Sequence, residues 1–369
     1  MRRAPPLIIG GGPAGAATAI ALASAGQQVT LIERHAEPSD KVCGDFLSAE
    51  AVAAIAAGGT DLATLAPAPI TAVRLIHGSR VVTTPLPFAA YGLTRRALDA
   101  ALLRHAEARG ATVLRGQAVR SIATDAASLQ VDCGQIGKFA TDTVFLATGK
   151  HELRGAPRAT RNNALVGLKM YYTLTPDQAA ALRHHVELML FPGGYAGLQP
   201  VEDDRAVLCA LLPANSVRKS DGIDRLVDDC PHLAQRLSGA RALLDHPLAV
   251  AGLPYGYVHA VSNNDPPGLF RLGDQAAVIA SLTGDGVALA LASAAEAART
   301  WLRRGDAAAY HRRHATRLAR QMRLATAIHR LCLSRPAQRW AVAACRLAPG
   351  AIRLAAHWTR FGTITPLDV

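Results

Sequence analysis

The chain has 369 residues, half of them hydrophobic, and a formal net charge of +12 at pH 7. This length and composition suit a sizeable buried core and two domains that share an interface. No apolar run is long and uncharged enough to span a membrane, and the first one enters a glycine turn directly, unlike a signal peptide. The six cysteines are scattered, without Cys-x-x-Cys or Cys/His metal spacing, so we expect free thiols, a cytoplasmic location and no metal site.

The positive charge is concentrated near the C-terminal end of the sequence. From Trp301 to Val369 there are 13 arginines, no lysine and two acids, so 11 of the 12 net positive charges lie there. This pattern is typical of a solvated arginine-rich face, or of a contact with an anionic membrane surface or a carrier protein. No aromatic residues interleave with the basic ones in the manner of a nucleic-acid platform, so we expect no nucleic-acid partner.

The first predicted elements are a short buried strand, Leu7-Ile8-Ile9, and a glycine turn. The turn fits the pattern G-x-G-x-x-G with Gly10, Gly12 and Gly15. At these positions the missing Cβ atoms let the backbone approach a pyrophosphate and let a helix pack close to the strand. The pattern alone is also compatible with a plain structural turn, so its surroundings decide the interpretation.

Those surroundings favour a dinucleotide site. Pro13 and Ala14 are suited to the first turn of a helix, whose positive dipole end would then point at the phosphates. Thr30 to Ile32 predicts the second strand, and Glu33 ends it 18 residues after Gly15. A carboxylate at this spacing binds ribose hydroxyls in dinucleotide-binding folds.

The following elements alternate between helices and strands and then become rich in strands. A predicted hairpin combines Glu187–Leu190 with Ala206–Leu212 and reverses at Glu202-Asp203-Asp204. The other predicted helices are 13–26, 48–57, 93–109, 176–184, 222–238 and most of 286–358. The other predicted strands lie in 70–90, 112–114, 143–147 and 269–272.

Three further motifs follow a predicted strand or open a predicted helix. Gly273-Asp274 comes directly after a strand, where a carboxylate can bind polyol hydroxyls, although a simple turn cap is the alternative. Gly284, Asp285 and Gly286 open the next helix, where main-chain amides can contact a phosphate or an electron-rich ring. Arg95 begins an R-x-x-L-D pattern at another predicted helix start.

With these motifs in this order, residues 6–300 resemble the aromatic-ring hydroxylase (para-hydroxybenzoate hydroxylase-like) superfamily of flavoproteins, and within it the geranylgeranyl reductase family. The resemblance implies an FAD-dependent oxidoreductase of the α/β class. We expect a Rossmann-like FAD-binding domain (1–70, 91–160 and 265–300) that is interrupted by a mainly antiparallel β-sheet substrate domain (71–90 and 161–264). A C-terminal helical segment (301–369) would follow.

The resemblance also implies which residues bind FAD. The ADP half would contact Gly10, Gly12, Pro13, Ala14, Gly15, Glu33 and Arg34, with Arg95 on the pyrophosphate side and Val119 at the adenine. The flavin half would contact Gly273, Asp274, Gly284, Asp285, Gly286 and Val287. No second G-x-G-x-x-G is present, so we expect NAD(P)H to act as a transient reductant or a separate reductase to supply the electrons.

Two segments are candidates for the chemistry beside the flavin. Lys41–Ser48 resembles the Cys-Gly segment of the reductase family, in which Cys43 would relay a proton, unless it is only a small buried side chain. Phe191–Pro200 replaces the family's Tyr-x-Trp-x-Phe-Pro motif, and Tyr195 would orient a substrate or serve as a core aromatic. The substrate pocket is expected to include Phe46, Met170, Tyr172, Leu190, Gln199 and Pro200.

These expectations favour a monooxygenase that hydroxylates a phenolic or polyketide-like small molecule, aromatic or amphipathic, through a flavin peroxide. An ene-reductase or dehydrogenase of the geranylgeranyl reductase type is the main alternative. A flavin-dependent halogenase is less favoured, because no Trp-rich motif is present and only Lys41 or Lys169 could supply its lysine. A non-catalytic flavin-binding protein and a peripheral position at the membrane also stay open.

Overall fold

The structure is a computed structural model that describes residues 4–125, 128–158, 164–216, 222–360 and 362. The strands are β1 (Leu7–Ile9), β2 (Thr30–Glu33), β3 (Phe46–Leu47), β4 (Ala68–His77), β5 (Arg80–Gly92), β6 (Thr112–Arg115), β7 (Ser121–Asp125), β8 (Ser128–Asp132), β9 (Lys138–Thr141), β10 (Val144–Leu146), β11 (Leu165–Thr173), β12 (His184–Phe191), β13 (Gly194–Pro200), β14 (Ala206–Pro213), β15 (Arg241–Ala242), β16 (Leu248–Ala251) and β17 (Leu269–Arg271). The α-helices are α1 (Pro13–Ser24), α2 (Ala49–Ala57), α3 (Arg95–Ala108), α4 (Pro176–Leu182), α5 (Gly222–Asp229), α6 (Pro231–Leu237), α7 (Gly286–Leu302), α8 (Ala307–Leu333), α9 (Arg335–Leu347) and α10 (Gly350–Trp358).

The first sheet is parallel, with the strand order β17-β10-β1-β2-β6. Strands β1, β10 and β17 are buried on both faces, and for this reason they are almost entirely apolar in sequence. Ile8 of β1 packs with α1, α3 and α7 on one face, whereas Leu7 and Ile9 pack towards a small sheet formed by β7, β8 and β9 on the other. Successive side chains of β1 point to opposite faces of the sheet, so the core is divided into two layers.

The second sheet has the order β15-β11-β14-β13-β12-β4-β5-β3, and β16 also pairs with β11. Most neighbours are antiparallel, but β12 runs parallel to β4. Helices α4, α5 and α6 cover one face around a core that includes Met170 and Leu226. The predicted fold class, a Rossmann-like domain interrupted by a mainly antiparallel sheet and followed by helices, is confirmed. The sheet extends beyond the predicted segment 71–90, because β3, the start of β4 and the end of β5 also belong to it.

The predicted hairpin between 187–190 and 206–212 is wrong. An additional strand, β13, lies between these two and pairs with both, so the turn at 202–204 joins β13 to β14. The sequence of β13 hides it, because Gly194 and Gly197 have low strand propensity and leave no alternation of apolar and polar residues. The predicted helix over 222–238 is two helices, and Pro231 begins the second one.

The C-terminal helices contact both parts of the molecule. Helix α8 packs on α7, where Glu296 accepts hydrogen bonds from Arg317 and pairs with His314 at 2.5 Å. Helices α9 and α10 contact β4 and β5 of the second sheet. The side chain of Gln338 in α9 donates to the carbonyl of Phe191 at 2.8 Å. Within the described ranges, no helix is long and apolar enough to cross a membrane.

A buried carboxylate in the second sheet predicts a loss of stability in acid. Glu187 is fully buried and pairs with Arg74, Arg236 and His232 at 2.8–2.9 Å. Burial raises the pKa of Glu187, but hydrogen bonds from His232, Arg236 and Arg74 outweigh it and lower the pKa to about 2. The stability that this ionised group contributes is therefore present above its unfolded-state pKa of 4.5 and is lost as the pH falls towards 2.

We expect Glu187→Gln to lower the free energy of unfolding by about 3 kcal/mol at pH 7 and by much less at pH 3. Urea denaturation at both pH values measures the difference. Glu107→Gln is the matched control, because Glu107 pairs with Arg115 at the surface, and its cost should stay under about 0.5 kcal/mol. An equal loss for Glu187→Gln at both pH values would contradict the assignment.

Candidate functional site

The glycine turn after β1 has the close approaches that its sequence pattern predicts. Gly10 has a φ of +102°, and a Cβ atom there would lie 2.5 Å from the carbonyl oxygen of Ala147. A Cβ atom at Gly15 would overlap the carbonyl oxygen of Gly10, so helix α1 packs directly against the turn. Gly12 is the N-cap of α1, and Pro13 is its first residue. The amide end of α1 therefore faces the cavity that lies beyond Gly12.

This cavity is elongated and has two adjoining parts. The outer part has a volume of about 400 Å³ and the inner part about 170 Å³. Both parts are lined by Gly12, Val42, Arg95, Ala147, Gly149, Lys150 and Asp274. A long cleft that passes a helix N-terminus matches the shape of a dinucleotide cofactor.

The outer part brings together the residues expected at the ADP half of FAD. Glu33, Arg34 and Val119 all line it. Glu33 lies at the end of β2, and its carboxylate accepts the amide of Gly11 at 2.6 Å, which fixes the side chain beside the glycine turn. The side chain of Arg34 contacts His151 at 2.7 Å. The position of Glu33 beside the glycine turn is compatible with its expected contact to a ribose.

Arg95 lies where the two parts of the cavity meet. It is the first residue of α3, and its guanidinium makes a bidentate pair with Asp99, with both nitrogen–oxygen distances at 2.8 Å. A Cβ atom at Gly12 would lie 3.1 Å from this guanidinium. The R-x-x-L-D pattern thus has a structural reason, because Asp99 orients Arg95 towards the phosphate-binding turn.

The inner part brings together the residues expected at the flavin half. Gly273, Asp274, Gly284, Gly286 and Val287 line it. Gly284 has a φ of +70°, and a Cβ atom there would lie 2.6 Å from the ring of Phe46.

The carboxylate of Asp274 lies 3.5 Å from the ammonium of Lys150, which reaches it from the loop after β10. The cradle fits FAD, since its glycine backbone could lie against a flat ring and the Asp274 carboxylate could accept hydrogen bonds from a polyol.

Asp285 departs from its expected role at the cofactor. Its side chain is fully buried and does not line the cavity; it pairs instead with Arg360, just after α10, at 2.9 Å. Arg360 also donates to the carbonyl oxygen of Thr283 and lies over the ring of Phe88. Burial raises the pKa of Asp285 to about 7, and Arg360 opposes this shift. Arg360 of the C-terminal segment therefore stabilises the turn at Gly284, on the side of the turn that faces away from the cavity.

A second buried carboxylate, Asp45, positions the Cys43 segment. It has a φ of +55°, and its carboxylate accepts hydrogen bonds from Lys169 at 2.7 Å and Tyr171 at 2.6 Å. The backbone amide of Arg95 donates to its other oxygen at 3.3 Å. Burial raises the pKa of Asp45, and the converging donors oppose this shift because they stabilise the carboxylate anion. Burial and the neighbouring Asp45 raise the pKa of Tyr171, which keeps its hydroxyl a neutral donor.

Sequence reasoning did not identify this cluster. The sequence named Lys169 only as one of two lysines that could serve a halogenase, and nothing in it connected Lys169 with Asp45. The structure shows Lys169 fully buried and fully engaged, with a second hydrogen bond to the carbonyl oxygen of Lys41 at 2.9 Å. Its ammonium is therefore used to bind the segment that carries Cys43.

The side of the inner cavity that faces the second sheet, where a substrate is expected, is mainly apolar. Cys43 and Phe46 line it from one side, and the lining from the second sheet and its neighbours is Gly167, Cys209, Ala210, Leu211, Leu253, Val278 and Ile279. Burial raises the pKa of Cys209 to about 12, so its thiol is neutral. The polar side chains on this side are the hydroxyls of Tyr255 and Ser281.

Behind Ser281 lies a short hydrogen-bonded network. The hydroxyl of Tyr195 lies 2.8 Å from Ser281 Oγ and 3.4 Å from His329 Nδ1, and Tyr255 donates to Ser281 Oγ at 3.3 Å. Burial lowers the pKa of His329 to about 4, so the imidazole is neutral at pH 7 and can accept a hydrogen bond. Tyr195 therefore lies one residue behind the cavity wall, and Ser281 is the group that reaches the cavity.

The expected substrate residues fall in different places. Phe46 lines the cavity, whereas Met170 and Tyr172 lie in the core beneath α5 and α6. The reason is that successive residues of β11 face opposite sides of the sheet. Gly167 and Lys169 face the cavity side, and Met170 faces away from it.

The other three expected residues also lie outside this lining. Leu190 packs with Tyr195 and Val342. Gln199 donates to the carbonyl oxygen of Asp45 at 3.0 Å, and Pro200 lies against Gly92.

Comparison with known proteins agrees with this geometry. Residues 3–137 match the family model described as the FAD binding domain. A flavin-dependent brominase has a TM-score of 0.76 at 18% identity, covering 95% of this chain and 92% of its own. The myxobacterial chondrochloren halogenase has a TM-score of 0.73 at 19% identity, with 96% and 90% covered. A geranylgeranyl bacteriochlorophyll reductase-like protein from Thermoplasma acidophilum has a TM-score of 0.72 at 18% identity, with 89% and 87% covered.

No curated protein matches the sequence. The chain thus carries an FAD-binding domain and shares its fold with flavin-dependent halogenases and a geranylgeranyl reductase-like protein. The predicted resemblance to this group of flavoproteins and the expectation of FAD are confirmed. The reaction, the reductant and the roles of single residues stay predictions, because identities of this size establish the fold alone.

The Asp45 cluster predicts a strong and specific dependence of stability on its charges. Asp45→Asn leaves the ammonium of Lys169 buried without a counter-charge, and we expect the free energy of unfolding to fall by about 3–5 kcal/mol. Lys169→Met in the same background should recover part of this loss, as a double-mutant cycle in urea would show. Arg96→Gln, at the exposed Arg96–Asp40 pair, should cost less than about 1 kcal/mol. Additive losses in the cycle would disprove the coupling.

The pair between Asp285 and Arg360 predicts a pH-dependent defect. Arg360→Gln removes the cation beside a carboxyl group whose pKa burial raises to about 7. The positive charge of Arg360 stabilises the folded state through this pair only when Asp285 is ionised. The variant should therefore lose more folding stability at pH 8 than at pH 6. The midpoint temperature of FAD release on heating measures this loss. Adding Asp285→Asn should abolish the pH dependence, and a defect of equal size at both pH values would count against the pair.

Proposed function

We propose that the protein is an FAD-dependent monooxygenase that hydroxylates a phenolic or polyketide-like small molecule. NAD(P)H, bound transiently, or a separate reductase would supply the electrons. Glu33 and Arg95 would bind the ADP side of FAD, and Asp274 with the backbone of Gly284 to Val287 would bind the flavin side. When bound and reduced, FAD supplies the oxygen-activating chemistry that no amino-acid side chain provides.

The observation that carries this proposal is the network behind Ser281. With Nδ1 of the neutral His329 unprotonated, the Tyr195 hydroxyl donates to it and accepts from Ser281. Ser281 Oγ can then accept hydrogen bonds, and one of these comes from Tyr255. The remaining acceptor capacity lies at the cavity wall and is suited to the hydroxyl of a phenol. A phenol that donates a hydrogen bond has a more electron-rich ring, which favours attack by an electrophilic oxygen.

The apolar lining supports the same reaction. Leu211, Leu253 and Ile279 contribute hydrocarbon surface around the network, and Phe46 closes the side next to Gly284. Such a lining excludes water from the reacting atoms and strengthens the few hydrogen bonds that remain. It also suits an aromatic or amphipathic substrate better than a charged one.

An ene-reductase is the second candidate, and the position of Cys43 favours it. The thiol lies at the cavity wall beside Phe46, where it could protonate a carbon next to one that has received hydride. Halogenation has less support from the side chains. Lys169 is bound to Asp45, Lys150 pairs with Asp274, and Lys41 donates to Ser39, so each of these lysines is engaged.

The FAD-loaded enzyme, given NADPH or NADH, isotopically labelled oxygen and a panel of phenols, tests the proposal. One labelled oxygen atom in the product is the expected result. A product that has gained two hydrogens and no oxygen would overturn the proposal in favour of the reductase. A halogenated product that forms only with chloride or bromide would overturn it in favour of a halogenase.

Ser281→Ala should lower kcat/KM for phenolic substrates about tenfold, because one hydrogen bond to the substrate is lost while the FAD contacts remain. Steady-state oxygen uptake measures the effect, and flavin absorbance checks cofactor loading. Tyr257→Phe is the matched control, since its hydroxyl contacts His259 rather than Ser281. An unchanged kcat/KM in Ser281→Ala would remove the network from the proposed mechanism.

A further inference from the structure

We infer that α9 and α10 form a docking surface for an anionic lipid bilayer. This inference does not depend on which reaction the flavin site performs. It starts from large apolar side chains that the fold leaves in solvent. Trp340 and Leu347 of α9 are 78% and 90% exposed, and Leu354 and Trp358 of α10 are 46% and 53% exposed.

The exposed apolar residues form stripes along the two helices. Trp340, Ala344 and Leu347 follow the spacing i, i+4 and i+7 in α9, and Leu354 and Trp358 follow i and i+4 in α10. Residues at these spacings lie on one side of a helix. Of the seven exposed large apolar side chains in the described ranges, five lie between Leu331 and Trp358, so the exposure is local.

Arginines accompany these residues in a regular pattern. Arg339, Arg346 and Arg353 each directly precede one of the exposed apolar residues, at intervals of seven, and all three are exposed. No acidic residue occurs between Ala307 and Arg360. The surface therefore combines hydrocarbon, indole rings and positive charge without a compensating negative charge.

An anionic bilayer fits this composition better than a protein partner does. Tryptophan rings lie preferentially at the level of lipid headgroups, and arginines are attracted to acidic lipids. A second copy of the chain would bring two positively charged faces together, which is unfavourable. An acidic protein would match the charges but would leave two exposed indoles and two leucines to be covered by an equally apolar patch.

The opposite side of the same helices is buried and leads towards the cavity. Val342 of α9 is fully buried against Leu190 and Tyr195, and Ile352 of α10 packs in the same cluster with Tyr255. The docking surface and the hydroxyl network thus lie on opposite sides of one helical layer. Docking would therefore place the bilayer on the outer side of the helical layer that packs behind Tyr195.

Vesicle binding by the FAD-loaded full chain tests the inference. Vesicles of equal parts phosphatidylglycerol and phosphatidylcholine should sediment the protein, whereas phosphatidylcholine alone should bind it weakly. Added salt should weaken the binding because it screens the arginines. The chain has three tryptophans, and Trp301 is buried, so a blue shift of the emission on binding reports Trp340 and Trp358.

Variants separate the apolar and the charged contributions. The double change Trp340→Ser and Trp358→Ser should weaken binding at least about tenfold and abolish the blue shift. Arg339→Gln and Arg346→Gln should each weaken it about fivefold. Ile136→Ser and Arg104→Gln are matched controls at exposed positions on other elements and should bind normally. FAD absorbance confirms that every variant is folded.

Three results would overturn the inference. The first is a failure to discriminate: either neither kind of vesicle binds the protein, or both kinds bind it equally and the tryptophan changes leave this binding unaltered. The second is self-association of the parent protein that these changes abolish, which would assign the surface to a second copy. The third is binding to a purified acidic carrier protein, lost in the same variants, when the anionic vesicles do not bind.

Discussion

The buried carboxylate of Asp45 is the interaction on which the flavin site depends. Its donors come from different parts of the fold, since Lys169 and Tyr171 belong to the second sheet and Arg95 begins a helix of the FAD-binding domain. The backbone carbonyl oxygen of Asp45 accepts hydrogen bonds from the side chain of Gln199 and from the backbone amide of Leu93. A buried charge is stable only when all its partners are present, so this cluster fixes the position of one domain against the other.

The C-terminal helices provide a second connection between the two domains. Helix α8 packs on α7, which lies against the first sheet, and α9 and α10 pack on the second sheet. Arg360 then reaches back to Asp285 in the turn beneath the flavin site. The segment that the sequence identifies mainly by its positive charge is therefore also part of the support of the cofactor cradle and of the layer behind Tyr195.

The chemistry of the cavity follows from how few polar groups reach it. Two titratable groups behind the side of the cavity that faces the second sheet are neutral or paired: burial lowers the pKa of His329 to about 4, and Lys169 is bound to Asp45. The hydroxyls of Tyr255 and Ser281 are the polar groups at this otherwise apolar wall. For the proposed function, this combination favours orientation of a hydroxylated ring over catalysis by a strong acid or base.

The sequence by itself determined the cofactor half of the protein. Gly10, Gly12, Gly15 and Glu33 could be identified because short-range sterics and a fixed spacing dictate them, and the same holds for Gly284. The sequence did not determine the strand β13, the inward face of β11 or the partner of Asp285. These depend on which distant segments meet: a shift of one residue reverses a strand's faces, and Arg360 lies 75 positions from Asp285. Local patterns therefore fixed the glycines and the carboxylate that are expected at FAD, and tertiary contacts decided which side chains line the rest of the cavity.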